Sequence, residues 1–125
     1  MSFTVGEHSV QPLRRILRMY LHGWGLAALT EGATLALSEL VTNVVRHVPD
    51  RRCAVLILRT PGGLRVEVTD GSTELPAKPT GPGELAEDGR GLLLVEATSD
   101  RWGVTVLPER AGKTIWFECD DDRYA

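Results

Sequence analysis

The spacing of apolar residues along the chain predicts three helices and two β-hairpins. Apolar positions at i, i+3 and i+4 predict a first helix over residues 9–22 and a second over residues 30–48, with Thr30 as its N-cap. Residues 53–70 form two β-rich runs around a Pro-Gly-Gly turn, a pattern typical of a hairpin. The first half of the chain is therefore expected to be two helices followed by two paired strands.

A long segment rich in glycine and proline separates these elements from the rest. Residues 70–89 contain four glycines and three prolines, which disfavour regular structure and indicate a lid or binding loop, with flexible disorder as the alternative. Beyond it, residues 90–99 predict a short helix opened by glycine, and residues 102–118 predict a second hairpin that turns at residues 108–113. The expected fold class is α+β: a two-layer α/β sandwich with a mixed, mostly antiparallel sheet and helices on one face.

Length and charge narrow the class of protein. The 125 residues fit a single domain over residues 1–125, and the net charge of −3 argues against direct nucleic-acid binding, which normally needs a basic face. Arg14, Arg15 and Arg18 cluster, but helical spacing places them on the solvated side of the first helix. No apolar run approaches the ~18 residues that cross a bilayer, and the N-terminal residues lack the features of a signal peptide, so we expect a cytoplasmic protein without a membrane span.

The second helix combines an apolar face with a polar row. Glu39, Asn43 and His47 recur every four residues along the border of the apolar stripe, where they would line a cleft beside the core. A glutamate there can accept a proton, and an asparagine oxygen suits Mg²⁺. The alternative is that Glu39 and Asn43 are solvated helix residues and that the helix dipole alone favours His47. The stripe that must face the sheet consists of Ala33, Leu37, Leu40, Val41, Val44 and Val48.

Two further positions could contact a ligand. Asp70 ends a predicted strand, where its carboxylate could accept a hydrogen bond from an exocyclic amine such as that of adenine, or could simply cap an Asx-type turn. Gly89, Arg90 and Gly91 open the third predicted helix, and glycines at a helix N-terminus let backbone N–H groups approach a phosphate. A plain helix start explains these glycines equally well, since neither a dinucleotide fingerprint nor a Walker P-loop is present.

Taken in order, these pieces resemble a known superfamily. Glu39-x-x-x-Asn43 on a helix, Asp70 at a strand end, a long glycine and proline loop and then Gly89-x-Gly91-Leu resemble the GHKL ATPases. The stretches ELVTNVVRH, GRGLLLVEATSDRWGV and GKTIWFE are similar to its single-domain bacterial branch, the anti-sigma factor serine kinases of actinobacterial partner-switching systems. The likeness covers roughly residues 8–119 and implies the Bergerat, or histidine-kinase-like ATPase, fold.

The resemblance implies a role for each matching residue. Asn43 would hold Mg²⁺ that bridges the phosphates of ATP, and Glu39 would orient or deprotonate the attacking serine hydroxyl of a partner protein. Asp70 would bind the adenine amino group with help from Thr114. The phosphates would be wrapped by Gly89, Arg90 and Gly91.

The resemblance also implies a function. The resemblance implies an ATP-binding anti-sigma factor with protein serine/threonine kinase activity. Such a protein sequesters a sigma factor and phosphorylates a STAS-type anti-anti-sigma partner. The resemblance also implies a homodimer that forms through helix one or the first strand. One departure from the family favours an alternative. Ser72 stands where the family's Asp-x-Gly-x-Gly box has its first glycine, which favours a non-catalytic partner-switch module that binds nucleotide weakly or not at all. A domain with coincidental motifs is the third alternative.

Overall fold

A computed structural model describes residues 2–72 and 87–122 as a sheet with helices packed on one face. The helices are α1 (Val10–Gly23), α2 (Thr30–His47) and α3 (Glu87–Thr98). The strands are β1 (Ser2–Thr4), β2 (Arg52–Thr60), β3 (Gly63–Asp70), β4 (Arg101–Val106) and β5 (Lys113–Asp120). The predicted two-layer α+β class is confirmed.

The sheet has the order β1-β2-β3-β5-β4, and neighbouring strands pair antiparallel throughout the described part. The prediction of a mixed sheet is therefore wrong. α3 carries the chain back across the layer, so that β3 and β4 point in the same direction. In the second hairpin, however, β5 rather than β4 pairs with β3 and so lies between β3 and β4. No parallel pair therefore forms among the described strands.

Helix boundaries follow the apolar period closely, although the predicted cap is wrong. α1 and α2 begin and end within one residue of their predicted limits. Thr30 is the first residue of α2 rather than its N-cap, because a short 3-10 turn at Ala27–Leu29 runs directly into the helix. The Thr30 hydroxyl consequently donates backwards, to the carbonyl of Ala27 at 2.8 Å. No described helix is long and apolar enough to cross a membrane.

The core lies between the helices and one face of the sheet. The six predicted stripe residues of α2 are all buried, with exposures of 5% or less. They pack with inward residues of β3 and β5, of which Phe117 is the largest. Burial and the charge of Asp70 raise the pKa of Cys53 to about 11, and burial raises the pKa of Cys119 to about 12, so both cysteines behave as small apolar core residues. Arg15 and Arg18 are exposed, as predicted, whereas Arg14 is half-buried.

The other face of the sheet carries a network of charges. The guanidinium of Arg101 donates to Glu118 at 2.9 Å and also binds Asp120. Arg65 donates to Glu118 at 3.0 Å and lies over the ring of Trp116, 4.2 Å from its centroid. Hydrogen bonds from Arg101 and Arg65 lower the pKa of Glu118, and the hydrogen bond from Arg101 lowers that of Asp120.

This network predicts an acid-sensitive contribution to stability. Because both carboxyl pKa values are lower in the folded chain than their unfolded values of about 4, the stabilisation is present above about pH 4 and is lost as the pH falls through the folded values. Arg101→Met should therefore lower the urea midpoint at pH 7, with the deficit shrinking towards pH 2. Arg59→Met, the same change at another exposed arginine, is the control. A deficit in the urea midpoint that is independent of pH would contradict the assignment of this stabilisation to the ion pairs of Glu118 and Asp120.

Candidate functional site

The predicted site residues of α2, β3 and β5 lie on elements that approach one another at one end of the sandwich. Only residues 48–51 join the end of α2 to the start of β2, and Cys53 near that start pairs with Asp70 at the end of β3. Asp70 in turn pairs with Lys113, the first residue of β5. The C-terminal half of α2, the end of β3 and the start of β5 therefore share one edge of the molecule.

Glu39 and Asn43 are half-buried on successive turns of α2. Within residues 2–72 and 87–122, neither side chain forms a hydrogen bond or an ion pair. Their neighbours differ, since the hydroxyls of Ser38 and Thr42 donate to helix carbonyls four residues earlier at 2.7 and 2.8 Å. Both side chains are partly exposed and have no protein partner among these residues, so the carboxylate and the carboxamide can contact water or a ligand. His47, the third member of the predicted row, is exposed.

The start of α3 lies level with Asn43. α3 packs along α2, and the carbonyl oxygen of Thr98 at its end lies 3.0 Å from where a Cβ on Gly32 would stand. The two helices therefore run antiparallel. Asn43 lies about 16 Å along α2 from Gly32, and Glu87 lies about 16 Å along α3 from Thr98, at ~1.5 Å per residue. The first backbone amides of α3 are thus level with Asn43.

The helix begins slightly earlier than the sequence predicts. α3 starts at Glu87, whereas the prediction opened it at the glycine pair Gly89 and Gly91. Those glycines and Arg90 consequently lie within the first two turns of α3. Unpaired N–H groups occupy the first turn of any α-helix, and the helix dipole makes that end favourable for an anion.

Asp70 occupies a buried position with two defined partners. The residue is 6% exposed, and its Oδ1 accepts hydrogen bonds from the backbone N–H of Ser72 and from the ammonium of Lys113, both at 2.9 Å. The first of these bonds is the Asx-type turn that the sequence offered as an alternative. The second is a buried ion pair that sequence analysis missed. Its only local signal was a lysine at an inward position of an otherwise apolar strand face.

Thr114 does not lie beside Asp70. Adjacent positions of a strand point to opposite faces, and the register pairs Asp70 with Lys113 but Thr69 with Thr114. The hydroxyl of Thr114 accordingly lies 2.7 Å from that of Thr69, on the face away from the helices. Lys113 therefore takes the place next to Asp70 that the prediction gave to Thr114.

A cleft of about 360 Å³ opens at the same end of the sheet. It reaches Asp70 from the β1 and β2 side and includes Gly71, Leu107 and Ala111. The lining contains no residue of α2, so this cleft is separate from the polar row of Glu39 and Asn43. Asp70 therefore borders this cleft.

An antiparallel sheet with helices on one face, with a polar row on α2 whose Asn43 lies level with the start of α3, is the arrangement of a GHKL-type nucleotide-binding domain. The chain belongs to the histidine kinase-like ATPase domain family, whose sequence model matches residues 3–118. It is also similar to a protein of Streptomyces coelicolor that is described as uncharacterized. The two are 38% identical over 77 residues, which are 59% of this chain and 73% of that protein. The predicted superfamily is confirmed.

Proposed function

We propose that this protein is an ATP-binding anti-sigma factor with protein serine/threonine kinase activity. In this proposal it sequesters a sigma factor and phosphorylates a serine of a STAS-type anti-anti-sigma partner in the cytoplasm. The observation that carries the proposal is the pair Glu39 and Asn43, both half-buried and without partners in the described part of the chain, with Asn43 level with the N-terminus of α3. These groups fit Mg-ATP because they offer a hard oxygen ligand, a proton acceptor and unpaired amides together.

The phosphate end of the site would be formed by α2 and α3. The side-chain oxygen of Asn43 would hold Mg²⁺, and the unpaired backbone N–H groups of the first turn of α3, up to Gly89, would donate to phosphate oxygens, with Arg90 and Gly91 directly after them. Bound magnesium supplies charge neutralisation, which phosphoryl transfer needs most. The glycines allow a close approach because they carry no side chain between the helix start and the ligand.

Glu39 would act as the proton acceptor. It lies one turn before Asn43 on the same helix, so a serine hydroxyl brought to the magnesium site would also meet its carboxylate. Glu39 would orient that hydroxyl and take its proton as the oxygen becomes a nucleophile. Positioned proton transfer of this kind contributes roughly 10²–10⁴-fold to rate.

The base would be bound at the edge that carries Asp70, whose carboxylate would accept a hydrogen bond from the exocyclic amine of adenine.

A homodimer would use α1 or β1, and β1 suits this role because it is an edge strand whose outer backbone groups can pair with another chain.

Two observations favour the non-catalytic partner-switch module as a second candidate. Lys113 neutralises the charge of Asp70, and Ser72 places a side chain where the family box has a glycine. Both would weaken adenine binding without disturbing a surface that binds a sigma factor.

A transfer assay separates the two functions. The full chain is mixed with Mg²⁺, labelled ATP and candidate STAS-type proteins, and phosphoserine on the partner is measured by mass spectrometry. Glu39→Gln should reduce transfer by about 10²–10⁴-fold while nucleotide still binds, and Asn43→Ala should remove the magnesium dependence of binding. Glu31→Gln, the same substitution at an exposed position of α2, is the control.

Each failure has a distinct meaning. Nucleotide binding and sigma-factor capture without transfer to any partner would favour the module. Transfer that Glu39→Gln leaves intact would remove Glu39 from the proposal. The absence of a thermal shift at saturating Mg-ATP would refute nucleotide binding, since a ligand that binds the native state must stabilise it.

A further inference from the structure

The ion pair between Lys113 and Asp70 changes the chemistry of the edge where the base would bind. The ammonium nitrogen lies 2.9 Å from Oδ1 of Asp70, and the two side chains are only 6% and 4% exposed. A lone buried carboxylate offers only acceptors. This pair offers a carboxylate and an ammonium side by side in nearly water-free surroundings, so it can both accept and donate hydrogen bonds.

The pair retains unused capacity on both sides. Lys113 has three N–H donors, of which one binds Oδ1 of Asp70, and its longer contact to the carbonyl of Ser72 measures 3.5 Å. Both hydrogen bonds to Asp70 end on Oδ1, and Oδ2 has no partner among the residues that the structure describes. A ligand that reached this pair would therefore meet a free carboxylate oxygen and a charged N–H donor.

We infer that Lys113 is a base-specificity residue that makes the site accept 6-oxopurine nucleotides, of the guanine and hypoxanthine type, as well as adenine nucleotides. This inference rests on the proposed function, because it assumes that a purine nucleotide binds at Asp70. Adenine carries an amino donor at position 6, whereas guanine carries a carbonyl acceptor there. The two bases thus differ in the kind of partner that each requires.

A site that presents only a carboxylate selects strongly for the amino group. The 6-carbonyl would face a negative charge, and an unpaired buried polar group can give discrimination of roughly 10⁴-fold or more. Lys113 removes both obstacles, since it neutralises the carboxylate and supplies a charge-assisted donor to the carbonyl oxygen. Asp70 can still accept from the adenine amine or from the ring N–H of a 6-oxopurine.

The selectivity is measured by binding rather than by turnover. Isothermal titration and thermal shift of the full chain with Mg-ADP, Mg-GDP and Mg-IDP give the ratio of dissociation constants. We expect GDP and IDP to bind within about tenfold of ADP. Lys113→Met, which keeps the length of the side chain but removes the charge, should move the ratio towards adenine by at least about tenfold. Arg59→Met removes one exposed charge elsewhere and should leave the ratio unchanged.

Lys113→Gln serves as a second variant that can still donate to Asp70 if the methionine variant does not fold, and the wild-type ratio is decisive by itself if neither folds. The inference is overturned if the wild-type chain rejects GDP and IDP by more than about tenfold relative to ADP, or if folded Lys113→Met keeps the wild-type ratio. Binding of ADP with rejection of GDP refutes this inference alone. Failure of all three nucleotides to bind refutes the proposed function with it.

Discussion

Asp70→Ala is expected to lower the free energy of unfolding by about 3–5 kcal/mol, because it leaves the buried ammonium of Lys113 without a counter-ion. The substitution also removes the acceptor for the backbone N–H of Ser72. Domains of this size are stable by about 5–15 kcal/mol in total, so the loss is a large share of the whole. Urea denaturation followed by circular dichroism measures it directly.

The double variant Asp70→Leu with Lys113→Met is the matched control for this effect. Replacing both members of a buried ion pair by apolar side chains of similar volume is often neutral, whereas removing one member is not. The double variant should therefore regain most of the stability that Asp70→Ala loses. A cost below about 1 kcal/mol for Asp70→Ala would show that the pair is solvated in solution, because exposed ion pairs contribute that little.

Gly112→Ala is expected to lower the free energy of unfolding by more than about 2 kcal/mol, because the backbone conformation and surroundings of Gly112 leave no room for a side chain. Gly112 has a φ of +143°, where side chains are strained, and a Cβ there would lie 2.0 Å from the carbonyl oxygen of Asp70 and 2.9 Å from the Cα of Gly71. Relief of this overlap must move the start of β5 away from the end of β3. The thermal midpoint should fall accordingly, and the ion pair at this edge should be disturbed with it.

Gly62→Ala is the control for Gly112→Ala. A Cβ on Gly62 would meet no atom within 4 Å, although this glycine also lies in a turn at a strand end. Its substitution should change stability by no more than about 0.5 kcal/mol. Similar thermal midpoints for the two variants would show that the close approach of Gly112 to Asp70 does not exist in solution.

Local pattern was sufficient for most of the fold. Both long helices, both hairpins and the buried stripe of α2 depend on periodicities that are contained within each segment, and the structure confirms them. The order of Glu39, Asn43, Asp70 and the Gly89 segment was likewise sufficient to identify the superfamily, and the family match confirms it. The roles of these residues remain proposals, which the variants described here test.

The local pattern of residues did not predict the order of the strands in the sheet, or the face of the sheet to which each side chain points. The mixed, mostly antiparallel sheet was predicted together with the Bergerat fold, yet β5 enters between β3 and β4 and every pairing of the described strands is antiparallel. Thr114 was assigned to the base site from its place in GKTIWFE, but the alternation of β5 turns it towards Thr69. A shift of one residue in register would reverse that facing, and the facing is decided by the burial of the whole strand rather than by any one residue.

The sequence by itself determined the helices and hairpins, the apolar core face of α2 and the superfamily. Each of these depends on the spacing of residues along one segment or on the order of segments. Only the tertiary structure decided which side chain stands beside Asp70. Lys113 lies 43 positions away in the chain, and the two meet only because the register of β3 and β5 brings their inward faces into line. Burial then makes the pair hold together, since neither charge could be left alone in the core without a large cost.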